Sequence, residues 1–460
     1  MPYILNRYYS VRNVMFLLGE GLLILFSMML MCLGFKGYDL FVTDWQLYTG
    51  QALLVTVVFL LCLYFFDLYE LSKHQSMPDT ATRLAQAFGV GCIILAGVYY
   101  AIPFLTITTL IFWSGFVATG AVLLSYRALY YYVLRKRLFH NGVVIVGTGK
   151  LADDISREIE HKHDSEYKVL AFIGQDEPQF NPYKVPLIAS LEDLQKAYPG
   201  LTIRRIVVAP DERRGTMPVR TLLAWKLRGV AVEQGITFYE RITGKVLAER
   251  IDPSWIIFAD GFVLSVWKYF TKRLIDILMA AGLLVISFPV MLISAIIIKW
   301  ESEGPVFYLQ ERVGQNGKLF QVIKFRSMCQ DAEKDGAVWA KENDDRVTTF
   351  GRFIRKARID ELPQLINVLK GEMSLVGPRP ERKVFIDDLA EKIPYYSVRH
   401  VVKPGITGWA QVCYPYGASK EDALRKLEYD LYYIKNISIA LDFLVIFHTV
   451  KTVLFGRGGR

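Results

Sequence analysis

The sequence predicts a membrane protein of mixed class, in three parts. A four-helix transmembrane bundle is expected over residues 1–138 and a cytoplasmic α/β domain over 139–265. A mainly α C-terminal domain with a re-entrant membrane helix at 272–299 is expected over 266–460. Three observations lead there. Four apolar runs, each near the ~20 residues a spanning helix needs, fill the first third of the chain. From Asn141 the pattern changes to buried strands alternating with helices. A fifth apolar run, Leu274 to Lys299, has basic residues at both ends and a proline near its middle. The composition agrees, because 52% apolar and 13% aromatic residues are more than an ordinary soluble enzyme carries.

The first four runs are Val14–Leu33, Gln51–Tyr69, Leu84–Phe104 and Ile107–Tyr126. Glu20 lies inside the first, near its end or paired within the bundle. Arg7 and Arg12 precede the first run, Lys73 and Arg83 separate the second and third, and Arg127, Arg135, Lys136 and Arg137 follow the fourth. The outer loops carry only Lys36, so the positive-inside rule puts both ends of this region in the cytoplasm. No small-residue cleavage site follows the first run, which argues against a cleaved signal peptide. The five cysteines show no C-x-x-C spacing, which leaves neither a disulfide framework nor a zinc site. His161 and His163 read as a solvated surface pair. The net charge of +9 suits anionic headgroups or phosphorylated substrates. No nucleic-acid motif is present.

Val143 to Gly147 reads as a buried parallel strand, followed by Gly147-Thr148-Gly149 and a helix from Lys150. This G-x-G-x-x-A pattern, ending at Ala152, is the opening of a Rossmann-like dinucleotide turn, with Gly147 and Gly149 as its candidate nucleotide-binding glycines. Further strands are expected at Lys168–Gly174, Arg204–Pro210 and Val230–Val232. Asp176 is a candidate ribose partner, although Gln175 stands where related folds often carry an acid. Nothing nearby suits hydride chemistry, so the domain is expected to be structural or regulatory.

The fifth run has Lys272 and Arg273 before it, Asp276 near its start, and Ser287-Phe288-Pro289 near its middle. A straight spanning helix would carry the basic Arg312, Lys324 and Arg326 to the outer side. A helix that enters, turns at Pro289 and leaves on the cytoplasmic face avoids that. Beyond it, Phe307, Phe320, Val322 and Phe325 supply a small apolar core, with a hairpin-like turn at Gly314 and Gly317. The last apolar run, Ile439 to Phe455, is broken by Asp442, His448 and Lys451 and suits an interfacial amphipathic helix.

The stretch of greatest chemical interest is Ala357 to Glu381. Asp360 and Glu361 stand just before Pro363, and Leu365, Ile366 and Leu369 recur at helical spacing until Gly371. The carboxylates therefore sit at or just before a helix N-terminus. Arg352, Arg355, Lys356 and Arg358 lie upstream, and downstream the chain turns through Gly377-Pro378-Arg379-Pro380. The two prolines hold the backbone of Arg379 extended for phosphate contact. A solvated, salt-bridged helix start is the commoner use of such a carboxylate pair.

The ordered motifs KRLIDI (from Lys272), ERVG (from Glu311), IKFRSM (from Ile323), RIDELPQLINVLKGEMSLVGPRPE and VKPGITGWAQV (from Val402) resemble the bacterial sugar transferases. The whole chain is similar to the long monotopic form of these polyprenyl-phosphate phosphoglycosyl transferases. The resemblance implies transfer of a sugar 1-phosphate from a UDP-sugar to undecaprenyl phosphate, with UMP released, at the start of exopolysaccharide or related glycan assembly. It implies Asp360 as covalent nucleophile and Glu361 as the ligand of Mg²⁺. Arg379, Arg312, Lys324 and Arg326, with the flanking Pro378 and Pro380, are expected at the substrate phosphates. Ser287 and Pro289 are expected at the membrane hairpin. The expected partners are the UDP-sugar, undecaprenyl phosphate and anionic membrane lipids, with homodimerisation left open and no nucleic acid. The expected location is the bacterial inner membrane, multi-pass, with the catalytic domain on the cytoplasmic face. Many relatives have a small hydroxyl residue where this chain has Arg358. Two alternatives remain: a non-catalytic membrane scaffold or sensor that binds a nucleotide, and a transferase of an N-acetylated or deoxy amino sugar.

Overall fold

The computed structural model describes residues 3–4, 7–8, 11–69, 76–135, 140–161, 165–198, 200, 203–210, 217–250, 261–262, 265–329, 346–415, 417 and 419–454. Lys73, Lys136, Arg137, His163 and Phe455 from the sequence reading lie outside the described residues. The chain divides into two compact units that part at Phe238/Tyr239.

In the first unit the four N-terminal apolar runs form α1 (Val11–Lys36), α3 (Trp45–Phe65), α4 (Met77–Ala101) and α5 (Thr109–Arg135), with a short α2 (Tyr38–Thr43). All four long helices have the length and apolarity to cross a membrane. They share a core that includes Ile24, Val55, Phe59, Leu84, Phe88 and Leu123. α4 begins where Ser76 accepts the Asp79 backbone N–H, with Pro78 in the first turn. The structure corrects the sequence reading at Arg127. It was expected beyond the fourth helix, yet α5 continues to Arg135 and buries it. Burial is possible because Glu20 lies opposite: Arg127 Nε and Nη2 stand 2.8 Å from its two carboxylate oxygens.

The same unit holds a five-stranded parallel sheet. Its elements are β1 (Asn141–Val146), α6 (Lys150–His161), β2 (Tyr167–Ile173), β3 (Leu187–Ile188), α7 (Leu191–Ala197), β4 (Arg205–Val208), α8 (Val219–Leu227) and β5 (Ala231–Gln234). The strand order β3-β2-β1-β4-β5 is that of a doubly wound nucleotide-binding fold, so the expected Rossmann-like arrangement is present. Gly147 has φ +119, and a Cβ there would lie 2.2 Å from the Ala209 carbonyl oxygen, so only glycine fits. The Gly149 carbonyl accepts the Asp153 N–H at the start of α6, and Asp176 is exposed.

Helix α9 (Gly235–Thr243) carries the boundary into the second unit. There the fifth apolar run forms α10 (Val266–Glu301), a 36-residue helix with Pro289 inside it. An antiparallel hairpin follows, β6 (Phe307–Val313) and β7 (Leu319–Phe325), turning through Gly314–Gly317 as expected. Then come α11 (Thr349–Lys356), α12 (Gln364–Lys370), β8 (Ser374–Val376), α13 (Lys383–Lys392), β9 (Gly405–Thr407), α14 (Trp409–Cys413), α15 (Lys420–Lys435) and α16 (Ile439–Leu454). The core of this unit gathers Ala280, Val322, Leu365, Leu375, Trp409 and Leu431, which come from α10, β7, α12, β8, α14 and α15.

Both ends of α10 are fastened to this unit. Near its start, Lys272 Nζ reaches Asp442 Oδ2 at 2.7 Å, and Arg273 donates to the Val368 and Leu369 carbonyls that end α12. Asp276 accepts the Leu375 N–H. Near its end, Ile298 is buried with Phe325 and Ile354. Around Pro289 the helix is largely bare: Val285, Ile286 and Phe288 are 73%, 76% and 58% exposed.

Candidate active site

The carboxylate pair stands in a single 3₁₀ turn, Ile359–Glu361, between α11 and α12. Thr348 caps α11 by accepting the Gly351 N–H. The helix stops at Ala357, and Arg358 takes left-handed backbone angles, φ 59 and ψ 19. A residue with a Cβ holds that conformation at a cost of about 1–2 kcal/mol, so the surrounding fold must enforce it. Pro363 then opens α12, and Gly371, with φ +88, ends it, as the sequence pattern predicts. Buried Asn367 ties α12 to the hairpin. Its amide donates to the Gln321 carbonyl at 2.7 Å and accepts the Ile323 N–H at 3.0 Å.

Glu361 is buried, and one of its oxygens, Oε1, collects three cations. Arg379 Nη2 lies at 2.8 Å, Arg358 Nη1 at 3.5 Å and Lys324 Nζ at 3.8 Å. Burial alone would raise the Glu361 pKa, but Arg379, Lys324 and Arg358 outweigh it and hold the carboxyl below its ordinary range. Asp360 goes the other way. Its Oδ1 is buried with no hydrogen-bond partner. Burial and the adjacent Glu361 charge push Asp360 up to about 6, against the pull of Lys324, Arg358 and Arg355. Burial likewise brings Lys324 down to about 8, although Glu361 resists. Two neighbouring carboxyls thus have different characters: one is a fixed anion and the other an unpaired, titratable group.

The segment after β8 faces them. Gly377 and Gly405 let two backbones meet, since a Cβ on Gly405 would lie 2.1 Å from the Gly377 nitrogen. Four consecutive carbonyls are then tied down. Pro378 accepts from the Gly405 N–H, Arg379 from Arg399, Pro380 from Arg312, and Glu381 from the Val313 N–H. Arg312 also pairs with Glu381 at 3.2 Å and donates to Gln310. Arg326 is hydrogen-bonded instead to the Ser302 carbonyl and hydroxyl and to the Ile298 carbonyl, at the C-terminal end of α10. The structure therefore brings Asp360, Glu361, Lys324 and Arg379 together; Arg312 and Arg326 line the same cavity, Arg312 hydrogen-bonded to the loop that carries Arg379 and Arg326 to the C-terminal end of the long helix. The sequence reading missed Asn367, Arg399 and Asp430, for which no motif spacing gave a signal.

A cavity of about 790 Å³ opens over this cluster. Its polar floor includes Asp360, Glu361, Lys324 and Arg379, and its apolar wall includes Met279, Leu283 and Ile286 of α10 and Ile446 and Val450 of α16. Ser287 lines it as well, with its hydroxyl toward the Met291 sulfur at 3.5 Å. Among the described residues, no group of three or more His, Cys, Asp or Glu side chains is placed to hold a metal by itself. Two adjacent carboxylates, one with an unpartnered oxygen, do fit a cation such as Mg²⁺. That ion keeps several waters and is held by one or two carboxylates plus substrate phosphates.

The sequence profile of the bacterial sugar transferases matches residues 267–456. An undecaprenyl-phosphate glucose phosphotransferase of Komagataeibacter xylinus is 34% identical over 388 residues, covering 81% of this chain and 70% of that protein. The chain belongs to the bacterial sugar transferase family. Two further relatives are more similar over shorter stretches. A UDP-N-acetylgalactosamine-undecaprenyl-phosphate N-acetylgalactosaminephosphotransferase of Aeromonas hydrophila is 49% identical over 222 residues, 48% of this chain. The match spans about half of that relative, 52% of its length. A Bacillus subtilis protein described as a putative undecaprenyl-phosphate N-acetylgalactosaminyl 1-phosphate transferase is 54% identical over 128 residues, 28% of this chain and 72% of its own. Residues 64–209, which include α4, α5 and most of the parallel sheet, match a CoA-binding domain.

Proposed function

We propose that this chain transfers a sugar 1-phosphate from a UDP-sugar to undecaprenyl phosphate and releases UMP, with Asp360 as covalent nucleophile. The observation that carries the reading is the contrast within the carboxylate pair: Glu361 has three cations on its Oε1, while Asp360 Oδ1 is buried and unpartnered at the floor of a cavity with one apolar wall. A phosphate-bearing lipid needs such a cavity, polar at the reacting end and apolar along the tail.

The step balances as a double displacement. An Asp360 carboxylate oxygen attacks the sugar-side phosphorus, and the bond from that phosphorus to the bridging oxygen breaks. UMP leaves with the bridging oxygen and its electron pair. A lipid phosphate oxygen then attacks the same phosphorus, the acyl phosphate bond breaks, and the Asp360 carboxylate returns. Lys324 and Arg379 stand where they would stabilise charge on the phosphate oxygens. Glu361 would hold Mg²⁺, which when bound would neutralise the diphosphate. Arg312 and Arg326 line the same cavity, so they too would meet substrate phosphates, while Arg312 also holds the Pro380 carbonyl and Arg326 the end of α10.

The site belongs on the cytoplasmic face of a bacterial inner membrane. The four N-terminal helices form the transmembrane bundle, and α10 enters and leaves on one side with Pro289 at its apex. Fastened ends and a bare apolar middle support this reading. Cysteine labelling at positions 272 and 299 in intact cells should leave both sites shielded from outside reagent. Labelling of just one would exclude the re-entrant path.

The decisive experiment omits the lipid. Purified protein with UDP-sugar and Mg²⁺ should release about one UMP per active site and exchange UMP into UDP-sugar, as a two-step displacement demands. Turnover with lipid but neither burst nor exchange without it would mean direct transfer. A panel of UDP-sugars in the same assay identifies the donor.

A further inference from the structure

Arg379 grips Glu361, and a second, deeper arginine grips Arg379. Arg399 sits in the turn Tyr396–Val401 and is 6% exposed. Its Nη2 donates to the Arg379 carbonyl at 3.0 Å and to Asp430 Oδ2 at 2.9 Å, and its Nη1 donates to the Tyr396 hydroxyl at 2.6 Å. Asp430 and Tyr396 are 2% and 3% exposed. A buried ion pair is an expensive way to hold a core together, and apolar side chains of the same volume do so at least as well. What apolar side chains cannot supply is a fixed donor aimed at one backbone carbonyl. Here that carbonyl lies between Pro378 and Pro380, neither of which has an N–H to anchor the loop from within.

We propose that Arg399, oriented by Asp430 and Tyr396, is a positioning residue that sets where the Arg379 guanidinium stands during phosphoryl transfer. The inference rests on the transferase reading given above. Arg399→Lys keeps the charge beside Asp430 but loses the planar fork whose Nη2 holds both the Asp430 carboxylate and the Arg379 carbonyl and whose Nη1 holds the Tyr396 hydroxyl. The readout is the lipid-free UMP burst, whose amplitude counts competent sites and whose rate reports the chemistry at each. Arg399→Lys should keep the amplitude and slow the burst by about 10–100-fold, as loss of an outer-shell partner does. The donor KM should change little, because the lost interaction matters most as charge moves. Tyr396→Phe, a milder variant in case the lysine variant folds poorly, should slow the burst by roughly three- to tenfold. Loss confined to amplitude, with a wild-type rate per site in both variants, would reduce Arg399 to a core staple and overturn the proposal. A wild-type protein that turns over with lipid but shows no burst would instead sink the two-step reading on which this inference rests, so the two failures are distinguishable.

Discussion

Two buried charge clusters in this molecule, one in each unit, are resolved in opposite ways. In the N-terminal helices Glu20 and Arg127 are both completely buried and matched one to one. Arg127 Nη1 also donates to the Leu68 carbonyl at 2.8 Å, so one cation and one anion balance within the cluster. In the C-terminal unit Arg379, Arg358 and Lys324 crowd a single oxygen of Glu361, while the neighbouring Asp360 oxygen has none. Closed clusters hold helices together. An open cluster, with excess cations on one side and an unpartnered anion on the other, is arranged for something that arrives later, and a diphosphate supplies the missing charge.

The largest expected effect is at the open cluster. Asp360→Asn keeps the shape and removes the attacking oxygen anion, so turnover, burst and exchange should all fall by at least about 10³-fold. Peptide mass spectrometry of wild type after the burst should place a phosphosugar on Asp360. An Asp360→Asn protein that still exchanges UMP would remove the residue from the chemistry.

The closed cluster should behave as structure alone. Arg127→Met strands Glu20 without its partner and should cost about 3–5 kcal/mol of stability, read as a lower melting midpoint in detergent. The double change Glu20→Leu with Arg127→Met should recover much of that loss. Burst rate per competent site should be that of wild type in both. A slowed burst in the double variant would mean that the two clusters are not separable as drawn.

Most of the fold was legible in the sequence, and for identifiable reasons. The places of the long helices followed from apolar runs, although each helix is longer than its run, and the parallel sheet followed from Val143–Gly147 and its fellows, because hydrophobic period is a local signal. Arg127 was not legible. A charge one residue beyond an apolar run reads as the end of a helix, and only the distant Glu20 makes its burial affordable. At the site, the D-E-L-P grammar placed Asp360 and Glu361 before a helix, and the motifs placed Lys324 and Arg379 near them. Neither told which carboxylate is paired. That depends on three side chains from different segments reaching one oxygen, and on a left-handed Arg358 whose φ of 59 no sequence pattern announces. Arg399 was hidden for the same reason, since its partner Asp430 lies 31 positions away on α15.

A smaller effect tests the tension stored in the open cluster. Asp360 has an ordinary pKa of 3.8 and stands near 6 in the fold. Between those values the folded state holds more proton than the unfolded one, so stability falls as pH rises through this window. Above pH 6 the whole penalty is in place. Asp360→Asn removes it and should stabilise the protein by about 1–3 kcal/mol at pH 7.5, with little gain at pH 4. An inactive variant that is also less stable at pH 7.5 would show that Asp360 is held by attractions outweighing its burial.

The smallest expected effect is the pH profile of kcat/KM, which reports the free protein. Asp360 must be ionised to attack, so the acid limb should bend near pH 6 and fall about tenfold by pH 5. Lys324 must keep its proton to stabilise phosphate oxygens, and with a pKa near 8 it sets an alkaline limb that falls about tenfold by pH 9. The two limbs should separate under mutation. Lys324→Arg keeps its charge at any of these pH values, so it should flatten the alkaline limb and leave the acid limb in place, whatever it does to the maximum. A profile flat from pH 5 to pH 9 would mean that the unpaired carboxyl and the buried lysine are not the groups that limit the reaction. A wild-type alkaline limb that persists in Lys324→Arg would assign that limb to another residue and leave the Asp360 assignment standing on the acid limb alone.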